Sequence, residues 1–194
     1  MTSILVVCTG NICRSPIAEG MLRDALSSRF GESAPEVSSA GTWGVEGSAP
    51  TPEAVTAARE RGIDIGAHRA RRLAQVAADA DLVVAMAGEH RDILGDETVM
   101  GERSFTLKEL VRLLESLPPV PPGAGPDSLS ERVDQARAAR QAGFAGNPFD
   151  EDVADPIGMP LQTYRATAWE LHGWVVRLVD GLYGAVTMPT ASEG

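Results

Sequence analysis

At 194 residues the chain can build one substantial domain around a single core and leaves little room for a second. Its formal charge of −10, with Lys108 its only lysine, excludes a general nucleic-acid binder and means that any phosphate affinity must come from a local cradle. No apolar run approaches a bilayer span and no signal-type core opens the chain. With only two cysteines, both in one short stretch, no disulfide framework is implied and the expectation is a cytoplasmic protein without membrane insertion.

Thr2 to Val7, with the apolar run Ile4-Leu5-Val6-Val7, reads as a strand suited to the centre of a parallel sheet. Directly after it stands Cys8-Thr9-Gly10-Asn11-Ile12-Cys13-Arg14-Ser15-Pro16. A helix follows from about Pro16 to Arg29, with Ile17, Met21, Leu22, Ala25 and Leu26 at helical spacing and proline at its favoured place near the start. A helix N-terminus and the loop before it offer unpaired N–H groups and a partial positive charge, which attract anions. The same dipoles bias a thiol held there toward thiolate. Arg14 brings a planar fork that grips two phosphate oxygens at once. Gly10 and Asn11 tolerate the left-handed backbone angles of a tight anion nest, and Ser15 can donate to the sulfur. An isolated Cys-x5-Arg is ordinarily a buried cysteine with a surface arginine nearby; the strand–turn–helix setting favours nucleophilic catalysis.

The stretch from Cys8 to Pro16 resembles, without a gap, the active-site loop of the low-molecular-weight protein tyrosine phosphatases. The resemblance implies an α/β fold: a four-stranded parallel sheet flanked by helices on both faces, with the phosphate-binding loop after the first strand. It implies catalytic roles for Cys8 and Arg14, and contacts to the phosphate from Thr9, Gly10, Asn11, Ile12, Cys13 and Ser15.

Glu36 to Gly41 reads as a short second strand. Ser39-Ala40-Gly41-Thr42 looks like the family segment whose serine supports the loop asparagine, so Ser39 would support Asn11. Trp43-Gly44-Val45-Glu46-Gly47 would form a loop at the mouth of the site, where an exposed Trp43 could stack on a substrate ring; a half-buried core tryptophan is the other reading. Thr51 to Arg61 is a helix ended by Gly62, and His68-Arg69-Ala70-Arg71 resembles a family turn in which His68 is a structural hydrogen-bonder. The arginines after His68 read as a solvated face pairing with acids. Leu73 to Ala80 suggests a short helix, Asp81 to Ala87 a strand, and Gly88 to Leu94 a helical turn with His90 in an exposed-looking polar stretch. Glu97 to Met100 would hold the fourth strand and Leu107 to Leu117 a helix. This alternation of strand and helix itself points to a parallel sheet covered on both faces.

Pro118 to Pro126 reads as a stiff loop, and Ser128 to Gln141 has helix-forming composition but few large apolar residues, so a helix there would be exposed and marginal. The closing helix, Thr163 to Tyr183, carries Tyr164, Trp169 and Trp174 as core aromatics. The expected organisation is a single phosphatase domain over 1–187, longer than its relatives by a Pro-rich insertion at about 117–150, with a loose tail at 188–194.

Expulsion of an alkoxide or phenoxide is easier if a carboxylic acid supplies a proton. The family uses an Asp-Pro late in the chain, and Asp155-Pro156 is the only such dipeptide here, with Asp152 as runner-up. The implied reaction removes phosphate from phosphotyrosine in a protein substrate through a cysteinyl-phosphate, without metal or cofactor, with inorganic phosphate as product or inhibitor. Cys13 stands where family members often carry a second cysteine, which would allow a protective Cys8–Cys13 disulfide. Thioredoxin-linked arsenate reductases share the loop but need cysteines downstream, and none follows Cys13. Protein arginine phosphatases typically place threonine where Ile12 stands. The tyrosine-directed enzymes usually have tyrosines after the Asp-Pro, whereas Ile157-Gly158-Met159 follow here, so phosphoarginine is the alternative substrate. A non-catalytic phosphate-binding module would be expected to lack the nucleophile or the acid, and both are present.

Overall fold

The first strand, β1 (Ser3–Cys8), is buried from Ile4 onward, as its unbroken apolar run requires. It lies inside a four-stranded parallel sheet of order β2-β1-β3-β4, with β2 at Glu36–Gly41, β3 at Leu82–Ala85 and β4 at Ser104–Thr106. This computed structural model describes residues 2–76, 80–95, 99–121, 123–144 and 150–185, and the tail expected at 188–194 falls outside them. The α-helices among the described residues are α1 (Arg14–Phe30), α2 (Pro52–Arg59), α3 (Gly88–Leu94), α4 (Val99–Glu102), α5 (Leu107–Ser116), α6 (Ser128–Gln141) and α7 (Leu161–Tyr183).

Successive side chains of β1 point to opposite faces and feed two cores. Ile4, Val6 and Cys8 join Ile17, Leu22, Leu110 and Leu178 in the larger one, whereas Leu5 and Val7 meet Leu73, Val83 and Leu94 in the smaller. Each such buried leucine contributes about 1.5–3 kcal/mol relative to exposure. The long α7 packs against α1, α2, α5 and α6, and so clamps the face from which the site helix α1 runs. Cys8 thus ends a central strand at its carboxyl edge, where ligand sites of parallel sheets lie.

Three expectations need correction. The fourth strand is Ser104–Thr106 rather than 97–100; Glu97 and Thr98 lie outside the described residues, and Val99 and Met100 begin α4. A three-residue strand with one apolar member, Phe105, leaves no alternation to read, because its buried hydroxyls are satisfied by the Met100 carbonyl and the Glu151 carboxylate. The helix over Ser128–Gln141 is not marginal and exposed: Leu129, Val133, Ala136 and Ala139 are buried. Its Arg132, also buried, donates to the carbonyls of Leu114, Pro118 and Gly181 at 3.3, 3.2 and 3.0 Å, capping the ends of α5 and α7. Arg140 lies 3.8 Å over the Phe105 ring and pairs with Glu109 at 2.8 Å. On α7, Tyr164 is core but Trp169 is 70% exposed, because it falls one residue off the stripe of Tyr164, Ala168, Leu171, Val175, Leu178 and Leu182.

Candidate active site

The loop between β1 and α1 is held from behind by its own carbonyls. Cys8, Thr9 and Gly10 accept from the amides of Thr42, Trp43 and Val45 at 2.9, 2.9 and 3.3 Å. The Asn11 carbonyl accepts from His68 Nε2 at 3.0 Å, and those of Ile12 and Cys13 accept from the amides of Thr51 and Ile17 at 3.0 and 3.3 Å. Because the C=O and N–H of a planar trans peptide point opposite ways, turning these carbonyls outward faces the following amides toward the concave side. The Asn11 amide lies 3.3 Å from Cys8 Sγ. A Cβ on Gly41 would stand 2.5 Å from the Thr9 carbonyl, so only glycine lets the end of β2 approach this closely. At the start of α1 no side chain caps the first turn and no acidic residue enters it, which leaves its N–H groups and dipole to an anion.

Asn11 is the keystone of this loop. It is fully buried with φ +58°, a left-handed conformation that asparagine adopts more readily than other non-glycine residues. Its Nδ2 donates to Ser15 Oγ at 2.9 Å and to Ser39 Oγ at 2.7 Å, and its Oδ1 accepts from the Arg71 amide at 2.8 Å. Ser15 Oγ in turn lies 3.0 Å from Cys8 Sγ. Ser39 and Asn11, paired by expectation, are thus in hydrogen-bond contact.

Behind Ser39 stands Glu19, 8% exposed, which accepts from the Ser39 hydroxyl, pairs with Arg23 and lies 3.5 Å from His68 Nδ1. Burial pushes the Glu19 carboxyl up, but His68, Ser39 and Arg23 together bring it below its ordinary value. His68 is the structural hydrogen-bonder expected of it, bridging Glu19 to the loop. Of the following arginines, Arg69 donates to the carbonyls of Gly66 and His68, and Arg71 to that of Ser39. A polar cleft of about 390 Å³ opens here, lined by Glu19, Arg23, Asp64 and His68 among others, with neither cysteine on its walls.

On the open side, a cavity of about 150 Å³ is lined by Cys8, Thr9, Gly10, Ile12, Cys13 and Arg14, and across from them by Asp155 and Ile157. Arg14 is 4% exposed; its Nη1 donates to the Val153 carbonyl at 3.0 Å and its Nη2 to Asp155 Oδ2 at 2.6 Å. Asp152 instead accepts from the Gly88 amide at 2.8 Å, which occupies the runner-up acid in holding the start of α3. The segment leading to Asp155 is stitched down: Lys108 reaches Asp150 at 2.8 Å, Arg112 reaches Asp150 and Glu151 at 2.9 and 3.1 Å, and the Val153 amide bonds the Met86 carbonyl at 2.8 Å.

Cys13 is buried with its Sγ 3.6 Å from Thr51 Oγ1 and 3.8 Å from Tyr164 OH. Burial pushes its thiol up, opposed only in part by those two hydroxyls, so Cys13 is disfavoured as a thiolate. Trp43 is 77% exposed and does not line the cavity, which sets aside the core reading of that residue. Sequence reasoning missed two residues. Glu19 sits one helical turn after Ser15, a spacing that shares its face and was readable. His90, expected to be exposed, is 1% exposed and meets Thr9; nothing in its polar neighbourhood signals that.

A thiol set among amides, a bidentate guanidinium and a facing carboxyl around one small cavity can bind a phosphate group and displace its ester oxygen. The model of the low molecular weight phosphotyrosine protein phosphatase family matches residues 3–116. The chain belongs to this family.

Members resemble it beyond the loop. The protein-arginine-phosphatase of Geobacillus stearothermophilus is 32% identical over 181 residues, spanning 92% of this chain and 95% of that one. The low molecular weight protein-tyrosine-phosphatase Etp of Escherichia coli is 43% identical over 89 residues, 45% of this chain and 56% of Etp. Among solved structures, the low molecular weight protein tyrosine phosphatase from T. tengcongensis superposes with a TM-score of 0.68 at 34% identity, over 94% of this chain and 100% of that one. No helix among the described residues is long and apolar enough to cross a membrane.

Proposed function

We propose that the chain hydrolyses phosphotyrosine in proteins through a cysteinyl-phosphate on Cys8. Cys8 thiolate attacks phosphorus while Arg14 and the amides of the loop hold the equatorial oxygens. A sulfur–phosphorus bond forms and the phosphorus–oxygen bond to the tyrosine breaks, with Asp155 giving its proton to the departing oxygen. Water then attacks the cysteinyl-phosphate, Asp155 takes its proton, and inorganic phosphate leaves with Cys8 restored as thiolate, supported by Ser15. Thr9, Gly10, Ile12 and Cys13 complete the cradle. Ser39 positions Asn11, and Trp43 meets the substrate outside the cavity.

The observation that supports this reading most is that Cys8, Arg14 and Asp155 line one cavity, with Arg14 already in contact with Asp155. The reaction needs no metal. Ile12 on the cavity wall presents an apolar side chain suited to an aromatic ring. A second reading, phosphoarginine, draws on the arginine-phosphatase relative that aligns over most of the chain and on Ile157 standing on the cavity wall where tyrosine-directed enzymes usually carry an aromatic. Peroxide would convert Cys8 to a sulfenic acid and water, and attack by the Cys13 thiol would release a second water and close a reversible disulfide. A reducing, cytoplasmic location suits two free thiols at the site.

The test is colour release from p-nitrophenyl phosphate without added metal, then parallel rates on phosphotyrosine and phosphoarginine peptides. Turnover by the parent and none by Cys8→Ser is expected, with the phosphotyrosine peptide preferred. Equal, negligible turnover by both proteins would favour a binding module, and preference for phosphoarginine would reverse the substrate.

A further inference from the structure

We propose that His90 is a positioning residue for the phosphate cradle: its Nε2–H fixes the Thr9 hydroxyl so that Thr9 donates a hydrogen bond to the bound phosphate. The inference rests on the phosphatase reading above and adds a group from α3, on the far side of the loop from Asn11.

His90 Nε2 lies 2.9 Å from Thr9 Oγ1 and 3.4 Å from Glu89 Oε1, while Nδ1 is buried with no hydrogen-bond partner among the described residues. The Glu89 carboxylate can only accept, so a proton on Nε2 serves both neighbours. The opposite tautomer would bury an orphaned N–H at Nδ1, the rarer and costlier defect, and leave Nε2 bare beside a carboxylate. Burial and the Arg14 guanidinium both push the His90 pKa down, with Glu89, Asp152 and Asp155 opposing, which keeps the ring a neutral single-proton donor.

Thr9 Oγ1 has two lone pairs and one proton. Arg14 Nη2 donates to it at 3.4 Å, so with His90 Nε2–H on the other side both lone pairs are engaged. The hydroxyl proton is left for an acceptor in the cavity that Thr9 lines with Cys8 and Arg14. His90 thereby acts in two ways. It turns Thr9 into a donor of fixed direction, and it tethers the hydroxyl that steadies Arg14 as its guanidinium is shared among Val153, Asp155 and phosphate.

The test compares His90→Leu, which keeps bulk but no donor, with His90→Gln, whose amide Nε2 can reach the same place, each alone and with Thr9→Val. For His90→Leu we expect about a tenfold fall in kcat/KM on p-nitrophenyl phosphate and weaker competitive inhibition by inorganic phosphate. His90→Gln should recover most of both. In the Thr9→Val background, His90→Leu should cost little more. Unchanged kinetics in His90→Leu, a Gln variant as poor as Leu, or an equal loss without the Thr9 hydroxyl would each overturn the proposal. If His90→Leu does not fold, imidazole nitrogen NMR of the parent decides, with His90→Gln identifying the signal among His68, His90 and His172. A proton on Nε2 that shifts on titration with inorganic phosphate supports the role; a proton on Nδ1, or no shift, refutes it. A parent without turnover would sink the phosphatase reading, whereas an active parent with an indifferent His90 sinks this inference alone.

Discussion

Replacing Asn11 separates the two jobs that the loop gives it. Asn11→Ala removes three side-chain hydrogen bonds, to Ser15, Ser39 and the Arg71 amide, all in a fully buried setting. At about 1 kcal/mol net for each, this loss is roughly 3 kcal/mol. Alanine must also hold φ +58° without asparagine's tolerance for it, adding about 1–2 kcal/mol. Because the three bonds share one network, their losses do not simply add, and the expected total is about 3–5 kcal/mol. Asn11→Gly loses the same bonds but not the backbone penalty. Its unfolded chain gains entropy worth about 0.4–1 kcal/mol, so glycine should be the better variant by roughly 0.5–1 kcal/mol. That inverts the order usual at positions with negative φ. Equilibrium urea unfolding with matched m-values measures both differences. Inorganic phosphate should raise the midpoint of the parent and raise that of either variant less. An alanine variant within ~1 kcal/mol of the parent, or one more stable than glycine, would refute the keystone role.

Asp155→Asn should lower kcat/KM, which reports the step that expels the leaving group, by roughly 10²-fold or more on phenyl phosphate and by clearly less on p-nitrophenyl phosphate, whose leaving group needs no proton; equal losses on both would remove Asp155 as the acid. The Glu19 carboxyl lies below its ordinary 4.5, so the stability it adds is present above that value and is lost as pH falls through its lower folded value. Glu19→Gln should therefore already melt earlier at neutral pH and show a flatter decline in acid; melting curves that stay parallel to the parent down to about pH 3 would contradict this. Cys13→Ser should recover less activity than the parent when thiol is added after peroxide, and equal recovery would exclude a protective Cys8–Cys13 disulfide.

Most of what places the nucleophile was legible because it is local. Ile4 to Val7 had to be an inner strand, Pro16 had to open a helix, and the residues between carry the anion-binding chemistry in consecutive positions. Ser39 and Asp155, distant in sequence, were legible only through a family pattern. What could not be read is what depends on packing between distant segments. β4 is three residues long with a single apolar side chain, so its sheet position follows from β3 beside it and not from its own pattern. α6 buries small residues and an arginine, and Arg132 becomes a core residue only because three carbonyl ends converge on it. His90 looked like a surface histidine between two charged residues, yet the short α3 turns it under Thr9.

The acid loop shows why a reaction assembled from two ends of the chain needs that packing. Asp155 reaches Arg14 across 141 residues of sequence, and locally its Oδ1 accepts from the Ile157 amide at 3.1 Å. Its placement therefore rests on groups before it. Glu151 is held by Thr106 and Arg112, Asp152 by the Gly88 amide, and Val153 by both Met86 and Arg14. Two of these anchors, Met86 and Thr106, sit at the carboxyl ends of β3 and β4, and Gly88 opens α3 just beyond β3, on the edge of the sheet at which β1 delivers Cys8. The sheet thus positions Cys8 and Asp155 from one edge. Arg14 links the two sides, donating to Val153 and Asp155 while lining the cavity with Cys8. A phosphate gripped by Arg14 would compete with Asp155 for Nη2 while the Val153 carbonyl keeps Nη1. In the proposed mechanism, substrate binding would then release Asp155 toward the leaving oxygen without releasing the loop that carries it.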